Sequence, residues 1–448
     1  MKPWASSLKH RAFKASGWAI GGFVFGQALR LGGNLIFTRL LFPEAFGLMA
    51  VVYVLHAALA LLSDMGITLG IIRDTRNLEA DCLNTSWTIQ ILRGCLIGSV
   101  MVLVALMLPV LSDKGWVSDG SVYAAPLLPK LMVVYSLAVI ITGFESTKVA
   151  EARRKLVLGS VIKIDLLSQC VAMVVMIWSA WIYPSVWVLV TGAVVSSLVR
   201  CVLGHLWLPG VPNRFCWEPS FVRQISHFGI RITMLSSIGF IGANGDRLIM
   251  GNLVDSATLG IYSIAFLLSH TVYELFNSMM TPIVLPAFSE VLRQRPQDLS
   301  KLYFRIQGAA DLFLFGAAAF LIVTGDAIVS HLYDGRYAGA GDMLKVLAFG
   351  LIGARYDIVS QYCIAKGVLR QLGIYNLCCS IAICTSLPLG FYLAGMKGAL
   401  MAIALSQFAG WPVAMYYKAK YGLWDARRGL LTFAGFVLLF GLLYLLER

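Results

Sequence analysis

Apolar residues dominate long stretches of this chain, and short polar breaks separate one stretch from the next. As helices rising 1.5 Å per residue, most are long enough to cross roughly 30 Å of hydrocarbon. The pattern predicts spans at 17–42, 45–72, 86–110, 127–147, 157–181, 186–208, 224–250, 257–288, 303–325, 343–365, 371–393 and 397–417, with a thirteenth at 429–446. Gly32, Gly33, Pro282 and Pro286 lie inside these runs, as membrane helices tolerate, and nothing alternates with the ten-residue period of an outer-membrane barrel. The expected fold class is an all-α polytopic membrane protein. The loops are too short to hold a separate water-soluble domain.

Composition agrees, since 58% of residues are hydrophobic, 13% are charged and the mean hydropathy is +0.78. The net charge of +13 would suggest nucleic acid in a soluble protein, but its placement points elsewhere. With the N-terminus inside the cell, Lys148, Arg153, Arg154 and Lys155, then Arg293, Arg295, Lys301 and Arg305, then Lys418, Lys420, Arg427 and Arg428 all fall on the inner side. The outer side receives only Lys114, Lys130, Arg336, Lys345, Lys397 and Arg448. This is the positive-inside asymmetry, and it turns the basic loops toward anionic lipid headgroups. No nucleic-acid module is present in the sequence. The first apolar run is too long for a signal peptide and no small-residue cleavage site follows it. The nine cysteines show no metal or redox spacing and read as small buried hydrophobes.

A few charges enter the apolar segments. Arg93, Lys163 and Arg200 lie near cytoplasmic helix ends, from where they can snorkel to the headgroups. Arg30 and Arg355 lie near the middle of their segments, where exposure to lipid is costly, so each is expected to face protein or water. Gly22, Gly26, Gly33 and Asn34 share the helical face of Arg30, with Gln27 at its border, as one small and polar stripe. Arg231 lies nearer the inner face. The embedded acids are Asp64, Glu274, Asp311 and Asp357, each a candidate either to neutralise an arginine or to bind a coupling cation, H+ or Na+. Asp357 is two residues from Arg355 and on a nearly opposite helix face, so those neighbours are not an obvious ion pair. His270 and Glu274, four apart, form a proton-responsive couple but are too few for a metal shell.

An internal repeat organises the segments. Arg39 opens RLLFPEAFGLMAVVYVL and Arg247, half a chain later, opens RLIMGNLVDSATLGIYSIAFLL; each has Arg-Leu at a helix end, a polar hinge, a Gly and a second apolar run. Six segments precede the polar stretch LPGVPNRFCWEP and six follow, so the halves share orientation as two parallel six-helix lobes enclosing a central cleft. The expected domains are a lobe at 1–208, a cytoplasmic linker at 209–223, a second lobe at 224–417, and a basic loop with an extra C-terminal helix at 418–448.

Four stretches carry a family resemblance: TRLLFPEAFGLMA at 38–50, LLSDMGITLGIIRD at 61–74, FESTKVAEARRKL at 144–156, and DRLIMGNLVDSATLGIYSIA at 246–265 with PIVLPAFSEV at 282–291. In order and spacing they resemble the Wzx-type polysaccharide flippases, in the polysaccharide transport branch of the multidrug/oligosaccharidyl-lipid/polysaccharide exporter superfamily. The resemblance implies a V-shaped, two-lobed helical fold. It also implies a transporter, not an enzyme, that moves a polyprenyl-diphosphate-linked oligosaccharide from the inner to the outer leaflet of a bacterial cytoplasmic membrane for surface polysaccharide synthesis. It needs no cofactor, and its partners are membrane lipids, a polysaccharide polymerase and chain-length machinery. On that reading Arg30, Arg231 and Arg355 bind the diphosphate with charge-assisted bonds, and Gln27 and Asn34 add hydrogen bonds. Two alternatives are a multidrug/cation antiporter of the same superfamily, which calls for an acidic cleft where this first segment carries Arg30, and a membrane glycosyltransferase or ligase, which calls for a polar catalytic loop.

Overall fold

The computed structural model describes residues 3–63, 80–155 and 157–424, with a few positions in 434–445. All regular structure among them is helical: α1 (Pro3–Leu40), α2 (Pro43–Leu62), α3 (Ala80–Asp113), α4 (Leu128–Gly143), α5 (Lys148–Arg154), α6 (Leu158–Ile182), α7 (Trp187–Trp207), α8 (Pro219–Leu253), α9 (Ser256–Gln294), α10 (Leu299–Leu332), α11 (Ala340–Gly350), α12 (Asp357–Lys366), α13 (Leu369–Ser406) and α14 (Trp411–Lys420). The chain divides into two compact units, Met1–Ser237 with Val254–Ala257 and Ile238–Leu253 with Thr258–Arg448.

Among the described residues, seven helical stretches are long and apolar enough to cross a membrane, or eight if α4 and α5, bent by 57°, form one span. Each of the twelve spans expected from the sequence nevertheless lies mostly on helix where it is described, although 144–147 leave the helix and a turn at 407–410 breaks the last of them. The shortfall has local causes: α1 and α8 carry polar side chains inside their apolar runs, and the expected 343–365 span is interrupted. There, α11 and α12, of 11 and 10 residues, flank a tight 3-10 turn at Leu351–Tyr356. The second expected span stops early, because α2 ends at Leu62, and its remainder to 72, with Asp64 and most of the 61–74 motif, lies outside the described residues. Most of the thirteenth span does too; within it, Gly435 packs against Phe315 of α10.

Close helix contacts depend on small residues. A Cβ on Gly94 of α3 would lie 2.8 Å from the Cα of Gly143 in α4, so the two backbones touch where they cross. α13 breaks at Ala394 and Gly395, the latter at φ +59°, where a side chain would be strained. A Cβ on Gly390 would fall 2.5 Å from the carbonyl oxygen of Gly398, although eight residues of straight helix span about 12 Å. The chain therefore turns sharply there, which separates the expected spans at 371–393 and 397–417.

The hinge of the internal repeat survives as helix, two residues, helix, at Leu40/Pro43 and again at Leu253/Ser256. The arginines are not equivalent within it: Arg39 is in the last turn of α1, whereas Arg247 lies deeper in α8. In the second unit, α9, α10 and α12 share a core built from Phe276, Phe288, Tyr303, Leu314, Ile358 and Tyr362. Outside the spans, the Arg336 backbone N–H and guanidinium hold the Asp334 carboxyl below its usual range.

Candidate functional site

In the first unit, the glycine stripe of α1 faces α6. Gly26 and Gly33 would place a Cβ 3.8 Å from Leu166 and 3.6 Å from Met173, and a Cβ on Gly22 would overlap Ile162. The stripe expected to line a polar face is thus a helix–helix contact, because only small residues let two backbones come this close. Arg30 lies within the stripe yet its side chain is exposed, with Gln27 and Asn34, one turn to either side, half-buried. The three form a polar group within the apolar course of α1 between Gly17 and Phe37.

Two cations expected to snorkel are bound instead. Arg93 donates to Ser63 Oγ at 3.0 Å and to the Ala60 carbonyl, so it caps α2, where a cation complements the last carbonyls. Arg200 pairs with Glu145 at 2.8 Å and Asp165 at 3.3 Å. Lys163 is exposed and lies 5.2 Å from the Trp18 ring centre.

The segment between α7 and α8 is fastened to the first unit. Backbone N–H groups of Arg214, Cys216 and Glu218 donate to the side-chain oxygens of Asn84 (3.0 Å), Thr88 (3.1 Å) and Thr85 (3.1 Å) on α3. Asn213 accepts from Ser146 Oγ at 2.7 Å and donates to Thr147 Oγ1 at 2.6 Å, at the bend between α4 and α5. By sequence alone this stretch is only a polar linker; the Asn-Thr-x-x-Thr spacing of Asn84, Thr85 and Thr88 is the one signal of its fastening.

In the second unit a polar ladder runs along α9. Tyr262 donates to buried Asp246 of α8, and Arg247 lies 3.7 Å over the Phe266 ring. Phe266 stacks on His270 at 5.0 Å, and His270 approaches Glu274 at 3.5 Å. The adjacent Tyr273 donates to Asp357 at 3.1 Å. Glu274 and Asp357 are thus brought to one stretch of α9, while Arg231 is on α8 with its side chain outside the described residues.

Arg355 and Asp311 go elsewhere. Arg355, 9% exposed, donates from Nε to Asp311 Oδ1 and from Nη2 to Asp311 Oδ2, both at 2.9 Å. Gln307 adds a third bond to Oδ1 at 2.9 Å and is itself held by Tyr303 at 2.9 Å. The 3-10 turn is what allows this: it carries Arg355 onto α10 and leaves Asp357 facing Tyr273. The partner of Arg355 is therefore not its sequence neighbour. The same cluster contains a residue expected in a basic loop. Lys418 is 7% exposed, and its ammonium lies 5.5 Å from the Tyr303 ring centre and 5.8 Å from that of Tyr356.

A family model described as "Polysaccharide biosynthesis protein" matches residues 36–342. The chain belongs to that family. Among relatives of this polysaccharide biosynthesis protein, the amylovoran biosynthesis protein AmsL of Erwinia amylovora is 23% identical over 72% of this chain and 81% of its own length. The teichuronic acid biosynthesis protein TuaB of Bacillus subtilis is 23% identical over 34% of this chain, which spans about a third (32%) of TuaB. Among solved structures, the lipid II flippase MurJ in an inward closed conformation superposes with a TM-score of 0.69 at 14% identity, over 94% of this chain and 91% of MurJ. An inward-facing multidrug resistance MATE family transporter of the MOP superfamily gives 0.68 at 13% identity, over 88% and 94%. The fold of this polysaccharide biosynthesis protein is that of the MOP superfamily, all-helical and multi-pass.

Proposed function

We propose that the protein is a flippase that carries a polyprenyl-diphosphate-linked saccharide from the inner to the outer leaflet of a bacterial cytoplasmic membrane, with its N-terminus in the cytoplasm. Membership of a polysaccharide biosynthesis family supports the saccharide, and the MurJ-like fold supports a lipid-linked cargo. The lobes are residues 1–208 and 224–417, joined by the 209–223 linker. The observation that carries the reading is Arg30: a permanent cation, exposed in the apolar course of α1, flanked by Gln27 and Asn34. A diphosphate that leaves water needs its hydration replaced, and a guanidinium with amide neighbours offers charge-assisted bonds in return. Arg231 is a second contact. Arg355, committed to Asp311, serves the second unit's packing rather than a clamp. Glu274 and Asp357 are the candidates for coupling transport to an H+ or Na+ gradient. A polymerase and chain-length machinery receive the product.

The test is Arg30→Ala in cells whose surface polysaccharide depends on this protein. Export is lost while the protein still inserts at normal level, and Arg30→Lys retains part of the activity if charge matters more than the planar fork. Full export by Arg30→Ala would overturn the assignment. Transport of cationic drugs in place of saccharide would instead favour an antiporter.

A further inference from the structure

We propose that the segment joining α7 to α8 is an interfacial anchor that docks the first unit onto anionic lipid headgroups, with Phe215 and Trp217 seated at headgroup level and Arg214 beside them. It rests on the proposed function only for the leaflet, the cytoplasmic one. Two aromatic rings stand open on this segment: Phe215 is 71% exposed and Trp217 is 54% exposed. The backbone beneath them is nevertheless fixed. The N–H groups of Arg214, Cys216 and Glu218 are bonded to α3 at every second residue, so the chain runs extended there and residues 215 and 217 share one face. Large apolar rings displayed on a fastened backbone mark an interaction surface, not a slack tether.

The neighbours of Phe215 fix its level. Trp87, at the start of the expected 86–110 span, meets Phe215 at 5.1 Å, Phe144 just past α4 at 6.4 Å and His205 in the last turn of α7 at 6.2 Å. Its indole N–H donates to the Phe144 carbonyl at 3.3 Å. Phe215 is therefore tied to the ends of helices that leave the hydrocarbon here, and Leu206 and Trp207, which close α7, are exposed as well. Aromatic rings favour that boundary, where one side is apolar and the other wet. Charge identifies the occupant. Arg214 on the segment, Arg153 in the last turn of α5 and Arg223 near the start of α8 are exposed. Of the acids, Glu151 is buried and paired with Lys155, and half-buried Glu218 accepts from Ser220 Oγ at 2.7 Å; Asp81 at the start of α3 is exposed. An anionic membrane surface offers apolar depth for the rings and negative charge for the arginines in one plane, whereas an acidic soluble partner matches only the charge.

The experiment places p-benzoylphenylalanine at position 215 or 217 of the full-length protein, in nanodiscs of phosphatidylcholine and phosphatidylglycerol, and identifies light-induced adducts by mass spectrometry. Lipid adducts are expected at both positions, with phosphatidylglycerol enriched over its share of the bilayer. Arg214→Gln keeps the backbone N–H that bonds Asn84, so the segment stays fastened. It should lower the phosphatidylglycerol-to-phosphatidylcholine ratio of the adducts about fivefold, the contribution of one base near an anionic surface. If the label prevents insertion, phosphatidylglycerol retained by unlabelled wild type and Arg214→Gln in native mass spectrometry decides, and equal retention overturns the anchor. So does a lack of lipid adducts, a ratio equal to the bulk composition and unmoved by Arg214→Gln, or crosslinking in cells to a protein in place of lipid. Adducts form without transport, so full export by Arg30→Ala would end the flippase reading and leave this result standing, and the reverse holds too.

Discussion

Arg30 of the first unit and Arg355 of the second are equivalent by sequence, each a guanidinium near the middle of an apolar run, yet they sit in opposite circumstances. Arg30 is exposed on a helix whose small residues are already engaged by α6. Arg355 is buried and bonds both oxygens of one carboxylate. The difference comes from where the acid lies. α10 presents Asp311 one helix away from Arg355, whereas the acid nearest in sequence is turned aside by the 3-10 turn. A charge inside a membrane segment is therefore a question about the neighbouring helix, and its answer separates a cation exposed on its own helix from one that locks a core.

The largest expected effect breaks the second unit. Arg355→Ala leaves the half-buried Asp311 carboxylate without its partner and should cost about 3 kcal/mol, the low end for a buried pair, read as a lowered thermal midpoint and a smaller folded fraction in detergent. The double replacement Arg355→Met with Asp311→Leu should recover much of that loss, since a packed apolar pair avoids the desolvation of both ions. If the double variant is no better than the single one, the pair does more than neutralise itself. Next comes the linker: Asn213→Ala removes two hydrogen bonds at the α4–α5 bend and should destabilise by about 1–3 kcal/mol, visible as faster proteolysis between α7 and α8.

The coupling acids sharpen the contrast further. Glu274→Gln and Asp357→Asn should keep the fold and reduce the dependence of transport on pH or sodium, measured in proteoliposomes; an undiminished dependence would make both acids structural. The smallest effect on stability belongs to the first unit, where Arg30→Ala at an exposed position should change the stability by no more than about 0.5 kcal/mol, read from the thermal midpoint. A loss as large as that of Arg355→Ala would mean that the two arginines are not different in kind.

Much of this is legible in the order of the residues. Hydrophobic run length predicts the helices, and glycine placement marks both the close crossings and the break at Gly395. His270 and Glu274, four apart on one helix, do meet. Family membership follows from motifs whose spacing the hinges at 40/43 and 253/256 preserve. Lys418 is the counter-example: a basic residue near a helix end resembles a surface cation until its tyrosine neighbours are known. The Arg93 cap on α2 is hidden from the sequence for the same reason.

Sequence by itself determined the helices, their multi-pass character and the family, because burial in hydrocarbon and backbone hydrogen bonding act on each segment almost independently of the others. Only the tertiary structure decided which charge meets which. Asp311 and Arg355 are 44 residues apart, and Asn213 lies 66 residues from Thr147. Such pairings depend on helix rotation and on the angle of a single 3-10 turn, and no local periodicity encodes either.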